Sequence, residues 1–167
     1  VKHMNENENF APPLAGFETI KRFWDKRRNV IIAKILPGEF YVSKSREVIS
    51  TVLGSCISAC IWDEHNGVGG MNHFLLPEKK HAHNDVALDA SSYTARYGNW
   101  AMEYLVNEVI KQGATRNNLK AKIFGGGKII NAMTNDVGNG NVEFVLEYLK
   151  LENIPIVDVV EIGRAHV

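Results

Sequence analysis

Between Val30 and Phe74 the chain is cut into short β-branched and apolar runs, each too short for a three-turn helix, and this constrains the fold more than any other feature. Val30 to Leu36 is interrupted only by Lys34. Pro37-Gly38 then makes a turn into Glu39 to Ser43, so these two runs read as a two-stranded unit. Val48 to Val52 and Ser55 to Trp62 follow on either side of Gly54, and His65-Asn66-Gly67 turns the chain into Val68 to Phe74, closed by Pro77. The pattern predicts a meander of five short strands over residues 30–76.

The second half changes period. Trp100, Ala101, Tyr104, Leu105, Glu108 and Val109 recur at helical spacing within Tyr97 to Gln112, and Gly113 supplies a stop. Leu119 to Phe124 reads as a strand leading into Gly125-Gly126-Gly127. Asn141 to Leu151 repeats the helical spacing through Val142, Val145, Leu146 and Leu149, and Ile156 to Val160 reads as the last strand. Strands first, then helices alternating with strands, give an α+β domain in which helices cover one face of a largely antiparallel sheet. No internal repeat is present.

The ends are set apart. Residues 1–16, with Asn and Glu alternating before Pro12-Pro13, read as a flexible lead-in, and Val1-Lys2-His3 ahead of Met4 as non-native. Residues 161–167 match the translation of a sequencing-adapter oligonucleotide and are expected to be a non-native tail, which leaves 17–160 as the domain. With Lys+Arg 19 against Asp+Glu 19 there is no electrostatic footprint for nucleic acid. No apolar stretch reaches the roughly 18 residues of a membrane span, and no secretion signal precedes the domain, so a cytoplasmic location without membrane insertion is expected. Cys56 and Cys60, four apart on a strand, would stand about 13 Å apart and read as free thiols.

Ser50-Thr51-Val52-Leu53-Gly54-Ser55-Cys56 carries the chemistry. Glycine and serine before a cysteine leave an open approach to the thiol, with backbone N–H groups free to meet a developing oxyanion. Seventeen residues on, His73 ends the next strand of the predicted hairpin, and Cys56 lies nine residues before His65 while His73 lies eight after it. The two therefore belong at one edge of the sheet, where an imidazole can activate a thiol and a hydroxyl from Thr51 or Ser50 can orient the imidazole. Buried inert cysteines are common, so spacing alone leaves a packed Cys56 open, and Cys60 reads as core.

The wording of these segments narrows the choice. Thr51 to Cys60 with Gly69-Gly70-Met71-Asn72-His73-Phe74-Leu75-Leu76-Pro77 closely resembles the CheD family of chemoreceptor glutamine deamidases. So do Lys34 to Val42, Arg96-Tyr97-Gly98, Ala101-Met102-Glu103 and Lys122 to Gly127. The resemblance implies a protein-glutamine glutaminase with Cys56 as nucleophile, His73 as acid and base, and Thr51 as the third catalytic residue. Gly54, Ser55, Asn72 and Gly126 are then expected on the substrate side. It implies no cofactor and no metal, chemoreceptor cytoplasmic helices as substrate, and a CheC-type phosphatase as a second partner. It also implies packed, mostly antiparallel sheets with two main helices outside, similar to the bacterial cytotoxic deamidases. The alternative is a docking module that regulates receptors or that phosphatase without chemistry.

Other motifs fit less well. His81-Ala82-His83 with the two cysteines lacks zinc-site geometry, because the cysteines fall on a strand and the histidines in a polar loop read over Glu78 to Tyr93. Gly125-Gly126-Gly127-Lys128 lacks the spacing of a phosphate loop and reads as a turn ending a strand.

Overall fold

The β-rich runs become strands that sort into two sheets in the computed structural model, which describes residues 10–76, 87–126 and 137–161. β1 (Lys21–Asp25), β2 (Val30–Lys34) and β4 (Glu47–Ser50) form a three-stranded sheet in the order β1-β2-β4. β3 (Phe40–Ser43), β5 (Ile57–Asp63), β6 (Val68–Asn72), β7 (Lys120–Gly125) and β8 (Ile156–Glu161) form a five-stranded sheet in the order β3-β6-β5-β7-β8. The β2–β4 and β7–β8 pairs are parallel and the others antiparallel. With α1 (Ala87–Lys111) and α2 (Val137–Leu151) the architecture is α+β, as its sequence pattern predicts.

The five predicted strands over 30–76 are present, but they do not form a meander. β2 and β3 are sequence neighbours in different sheets, so the expected two-stranded unit does not form. The reason lies at Pro37-Gly38. Gly38 has φ 84 and donates its N–H to the His73 carbonyl at 2.7 Å, while His73 donates to the Glu39 carbonyl at 3.0 Å. The turn thus delivers β3 to the edge of β6, with Phe40 opposite Asn72. β2, left behind, pairs with β4 and with β1, a strand that the sequence pattern did not reveal.

The β5–β6 hairpin forms as expected, with Cys60 opposite Met71 and Asp63 opposite Val68. Asp63 fixes its turn. The carboxylate accepts from the Asn66 backbone at 3.1 Å, the Asn66 amide at 2.6 Å and the Thr115 backbone at 2.8 Å. Burial works to raise the Asp63 pKa, but these donors prevail and hold it at about 2.

α1 packs over β3, β5 and β6, and α2 over β5 and β7, on the same face of the larger sheet. Strand alternation places Ile57, Ala59 and Ile61 on that face, and all three are fully buried against Met102, Leu105, Val106, Val145 and Leu149. α1 begins ten residues earlier than its predicted start at Tyr97 and takes in the end of the expected loop. Asp89-Ala90-Ser91-Ser92 carries no apolar stripe for a periodicity argument to find. Trp100 and Tyr104, members of the helically spaced set, are half-exposed, and their rings meet at a tilt with centroids 4.9 Å apart. The smaller sheet meets the opposite face of the larger one. There the Arg22–Glu47 ion pair is nearly buried, and the hydroxyls of Tyr41 and Ser43 donate to Glu47.

Residues 77–86, with His81 and His83, lie outside the described residues, as do 1–9, Gly127-Lys128 and 162–167. Glu161, read in the sequence as the start of a tail, ends β8 opposite Gly125. Among the described residues no helix is long and apolar enough to cross a membrane.

Neighbouring positions on α1 should behave oppositely. Leu105→Ala empties a fully buried site and should cost about 2–5 kcal/mol, whereas Tyr104→Ala should cost under about 1 kcal/mol. Urea unfolding of the two variants side by side checks the assignment.

Candidate active site

Three chain segments converge where the two sheets meet. Thr51 follows β4, Cys56 precedes β5 and His73 follows β6. Ile57 and Phe74 exchange backbone hydrogen bonds at 2.9 and 3.0 Å, extending the hairpin register beyond the strands proper. That register sets His73 opposite Ser58 and Cys56 opposite Leu75, so Cys56 and His73 are diagonal neighbours on one face. Diagonal neighbours stand roughly 7–8 Å apart at Cα and nearer at Cβ. The face is the one turned away from the helices and toward Thr51.

His73 is only 2% exposed, and its polar atoms are accounted for with one exception. Its backbone is held by Gly38 and Glu39, and its Nδ1 lies 2.7 Å from the Thr51 hydroxyl. The same hydroxyl donates to the Ile35 carbonyl at 2.9 Å. A hydroxyl has one proton, and a carbonyl can only accept. The Thr51 oxygen must therefore accept from Nδ1–H, which leaves the lone pair of the neutral imidazole on Nε2. Nε2 is buried and makes no hydrogen bond to Cys56 or to any other described residue. Of the two candidate hydroxyls, Thr51 is the one that reaches the imidazole. Ser50 belongs to β4, where its carbonyl accepts from the Ile35 backbone at 2.9 Å.

Cys56 is half-buried and free of disulfide, as is Cys60. Burial pushes the Cys56 thiol above its ordinary pKa, partly offset by a hydrogen bond from its own backbone N–H, and burial pushes the His73 imidazole down. Both shifts favour neutral forms, so the resting pair is a thiol and a neutral imidazole. Cys60 is buried further and its thiol is pushed up to about 12.

The residues expected on the substrate side divide. Gly54 is exposed, with nothing within 4 Å of the space a Cβ would fill, and Ser55 is half-buried beside it. Asn72 is instead spent inside the molecule. Its Oδ1 accepts from the Ala59 backbone at 2.9 Å and its Nδ2 donates to the Ala101 carbonyl at 3.3 Å, which ties β6 to β5 and α1. Gly126 donates its N–H to the Cys56 carbonyl at 3.0 Å, so that N–H holds the cysteine from behind. Gly125 makes this possible: at φ 111 it brings β7 so close that a Cβ would stand 2.2 Å from the Cys56 carbonyl oxygen.

One residue of the site was not singled out by sequence reasoning. Asn141, in α2 and 1% exposed, donates from Nδ2 to the Ser55 carbonyl at 3.0 Å and accepts on Oδ1 from the Leu76 backbone at 2.9 Å. Its signal was a polar residue at an inward position, four and eight residues before the buried Val145 and Leu149. Leu36, Val52 and Leu75, next in the chain to Ile35, Thr51 and Phe74, are exposed by 55%, 78% and 41%, which leaves apolar surface beside these segments.

Comparison with known proteins adds to this geometry. The family model described as "CheD chemotactic sensory transduction" matches residues 75–165, more than half of the chain. The chain is 47% identical over 147 residues to the "Probable chemoreceptor glutamine deamidase CheD" of Saccharophagus degradans, covering 87% of this chain and 67% of that protein. It is 52% identical over 148 residues to the protein of the same name from Methylobacillus flagellatus, covering 88% and 71%. The corresponding figures for the protein of that name from Halorhodospira halophila are 48% over 144 residues, 86% and 66%. The chain thus spans about two thirds of the length of these curated relatives.

The two glycines flanking Cys56 should respond differently to alanine. Gly125→Ala meets the Cys56 carbonyl and a backbone angle that alanine resists, so it should cost at least about 2 kcal/mol and slow alkylation of Cys56. Gly54→Ala should change stability by under about 1 kcal/mol. Chemical denaturation with parallel iodoacetamide kinetics separates them.

Proposed function

The chain belongs to the CheD family, and on that premise we propose that it hydrolyses glutamine side chains of chemoreceptors to glutamate in the cytoplasm, through a thioester on Cys56. The single observation that carries this reading is the buried Nε2 of His73. It is left without a partner while Nδ1 is tied through Thr51 to the Ile35 carbonyl, and it faces the side of the sheet that bears Cys56. A buried unsatisfied nitrogen costs about 1–3 kcal/mol, a cost that a purely structural histidine has no reason to carry.

The steps use side chains and water. As substrate binds, Nε2 takes the proton of Cys56 and the sulfur adds to the carboxamide carbon, giving a tetrahedral oxyanion. The ion pair forms during attack because burial disfavours it at rest, and the Thr51 oxygen supports the transient imidazolium at Nδ1. Backbone N–H groups between Gly54 and Cys56 meet the oxyanion. His73 returns the proton to the nitrogen, which leaves as ammonia, and a thioester remains. Water, deprotonated by the same Nε2, attacks the thioester, and release of the acid restores the thiol and leaves glutamate in place of glutamine. The exposed apolar side chains of Leu36, Val52 and Leu75 suit the face of a protein helix better than a free amino acid.

The reading is tested by incubating the protein with a chemoreceptor cytoplasmic fragment and following ammonia release and the amide-to-acid mass increase on receptor peptides. Both should occur, and both should vanish in Cys56→Ala while receptor binding persists. An unmodified fragment that still binds the wild-type chain would leave only docking, on receptors or on a CheC-type phosphatase. Thr51→Val keeps the shape of the side chain but removes the acceptor for Nδ1–H, so kcat should fall about tenfold to a hundredfold. The acid limb of kcat/KM in the wild type should lie below the ordinary histidine value of 6.5, since activity is lost only when pH falls through the lowered pKa of His73.

A further inference from the structure

Asn141 lies on α2, away from the three segments that supply Thr51, Cys56 and His73, and it is buried with both ends of its amide used on backbone. Its Nδ2 holds the Ser55 carbonyl, and that carbonyl shares one peptide plane with the Cys56 N–H. The described chain has no cis peptide bond, so the carbonyl and the N–H of this plane point in opposite directions. Fixing Ser55 C=O toward α2 therefore turns Cys56 N–H away from α2. The Cys56 N–H in turn reaches its own sulfur, and among the described residues no backbone carbonyl accepts it. The next carbonyl, that of Cys56 itself, lies in the following peptide plane and is pinned by Gly126 N–H, so the planes on both sides of the Cys56 Cα are held.

We infer that Asn141 is a positioning residue for the deamidation proposed above: by gripping the Ser55 carbonyl it aims the Cys56 amide at the oxygen of the tetrahedral intermediate. A carbon bound to Cys56 Sγ carries its oxyanion within reach of the amide of the same residue, so an N–H aimed along the sulfur is preorganised for that charge. The second arm of Asn141, on Leu76 N–H, ties the segment after His73 to the same side chain. Acid, base and oxyanion donor are thereby referred to one fixed point on α2. The role rests on the deamidase reading and adds to it a residue outside the catalytic three.

Asn141→Asp isolates the Ser55 arm. The carboxylate still accepts from Leu76 N–H, but it has no proton to give Ser55 C=O and repels it. On a glutamine-bearing receptor fragment, kcat should fall about a hundredfold with KM changed by less than about threefold. Alkylation of Cys56 by iodoacetamide, which forms no oxyanion, should change by less than about threefold. If alkylation slows as much as turnover, Asn141 is only a prop for the cysteine segment and the inference is overturned; undiminished kcat overturns it equally. Asn141→Ser, smaller and uncharged, gives the same reading if the acidic variant does not fold. A wild-type chain that leaves receptor glutamines intact overturns the deamidation and this role together, whereas an active wild type with an equally active variant overturns the role alone.

Discussion

The stitching of His73 into the junction between the two sheets is the interaction on which the remainder of the molecule depends. Its backbone takes Gly38 and gives to Glu39, which recruits β3 to the larger sheet, and its side chain meets Thr51, which is itself anchored on Ile35 at the end of β2. One residue thus determines where β3 goes and how the smaller sheet is aligned. Each buried polar group left without its partner there would cost about 1–3 kcal/mol, so the junction tolerates little rearrangement.

A second polar cluster works beside it. Glu47, whose side chain is 2% exposed, receives Arg22 from β1, Tyr41 from β3 and a hydroxyl from Ser43. A buried carboxylate is tolerable only when its oxygens are matched, and here the matching donors come from both sheets. The two clusters together give a polar seam between sheets whose outer faces are otherwise apolar or solvated. Within that seam His73 Nε2 is unmatched, and it is the atom to which the proposed mechanism assigns proton transfer. Satisfied neighbours make this exception affordable, because they keep the imidazole from rotating to find another partner.

Much of the site was legible because the β5–β6 hairpin is local. Asn66-Gly67 fixes the turn, alternation fixes the faces, and Cys56 and His73 follow on one face with no long-range information. Counting from the turn misses the register by one diagonal step, since Asp63 and Asn66 set the hairpin centre. The fate of β3 was not legible. Its flanking sequence fits a hairpin with β2 as well as it fits an edge strand, and the choice is made by hydrogen bonds to a histidine thirty-five residues further on. Nor were the inward uses of Asn72 and Gly126: polar and glycine residues near a nucleophile look alike in sequence whether they face substrate or core.

The amino-acid sequence by itself determined the strands of the first half, the two amphipathic helices and the placing of a thiol and an imidazole on one face of a hairpin, because each depends on periodicity or on a tight turn over a few residues. Only the tertiary structure decided that β2 and β3 part company, that Thr51 rather than Ser50 orients His73, and that Asn141 on a distant helix holds the peptide before Cys56. Those outcomes rest on the geometry of single hydrogen bonds between segments far apart in the chain. Such bonds are selected by the packing of two whole sheets, and no local pattern of residues encodes them.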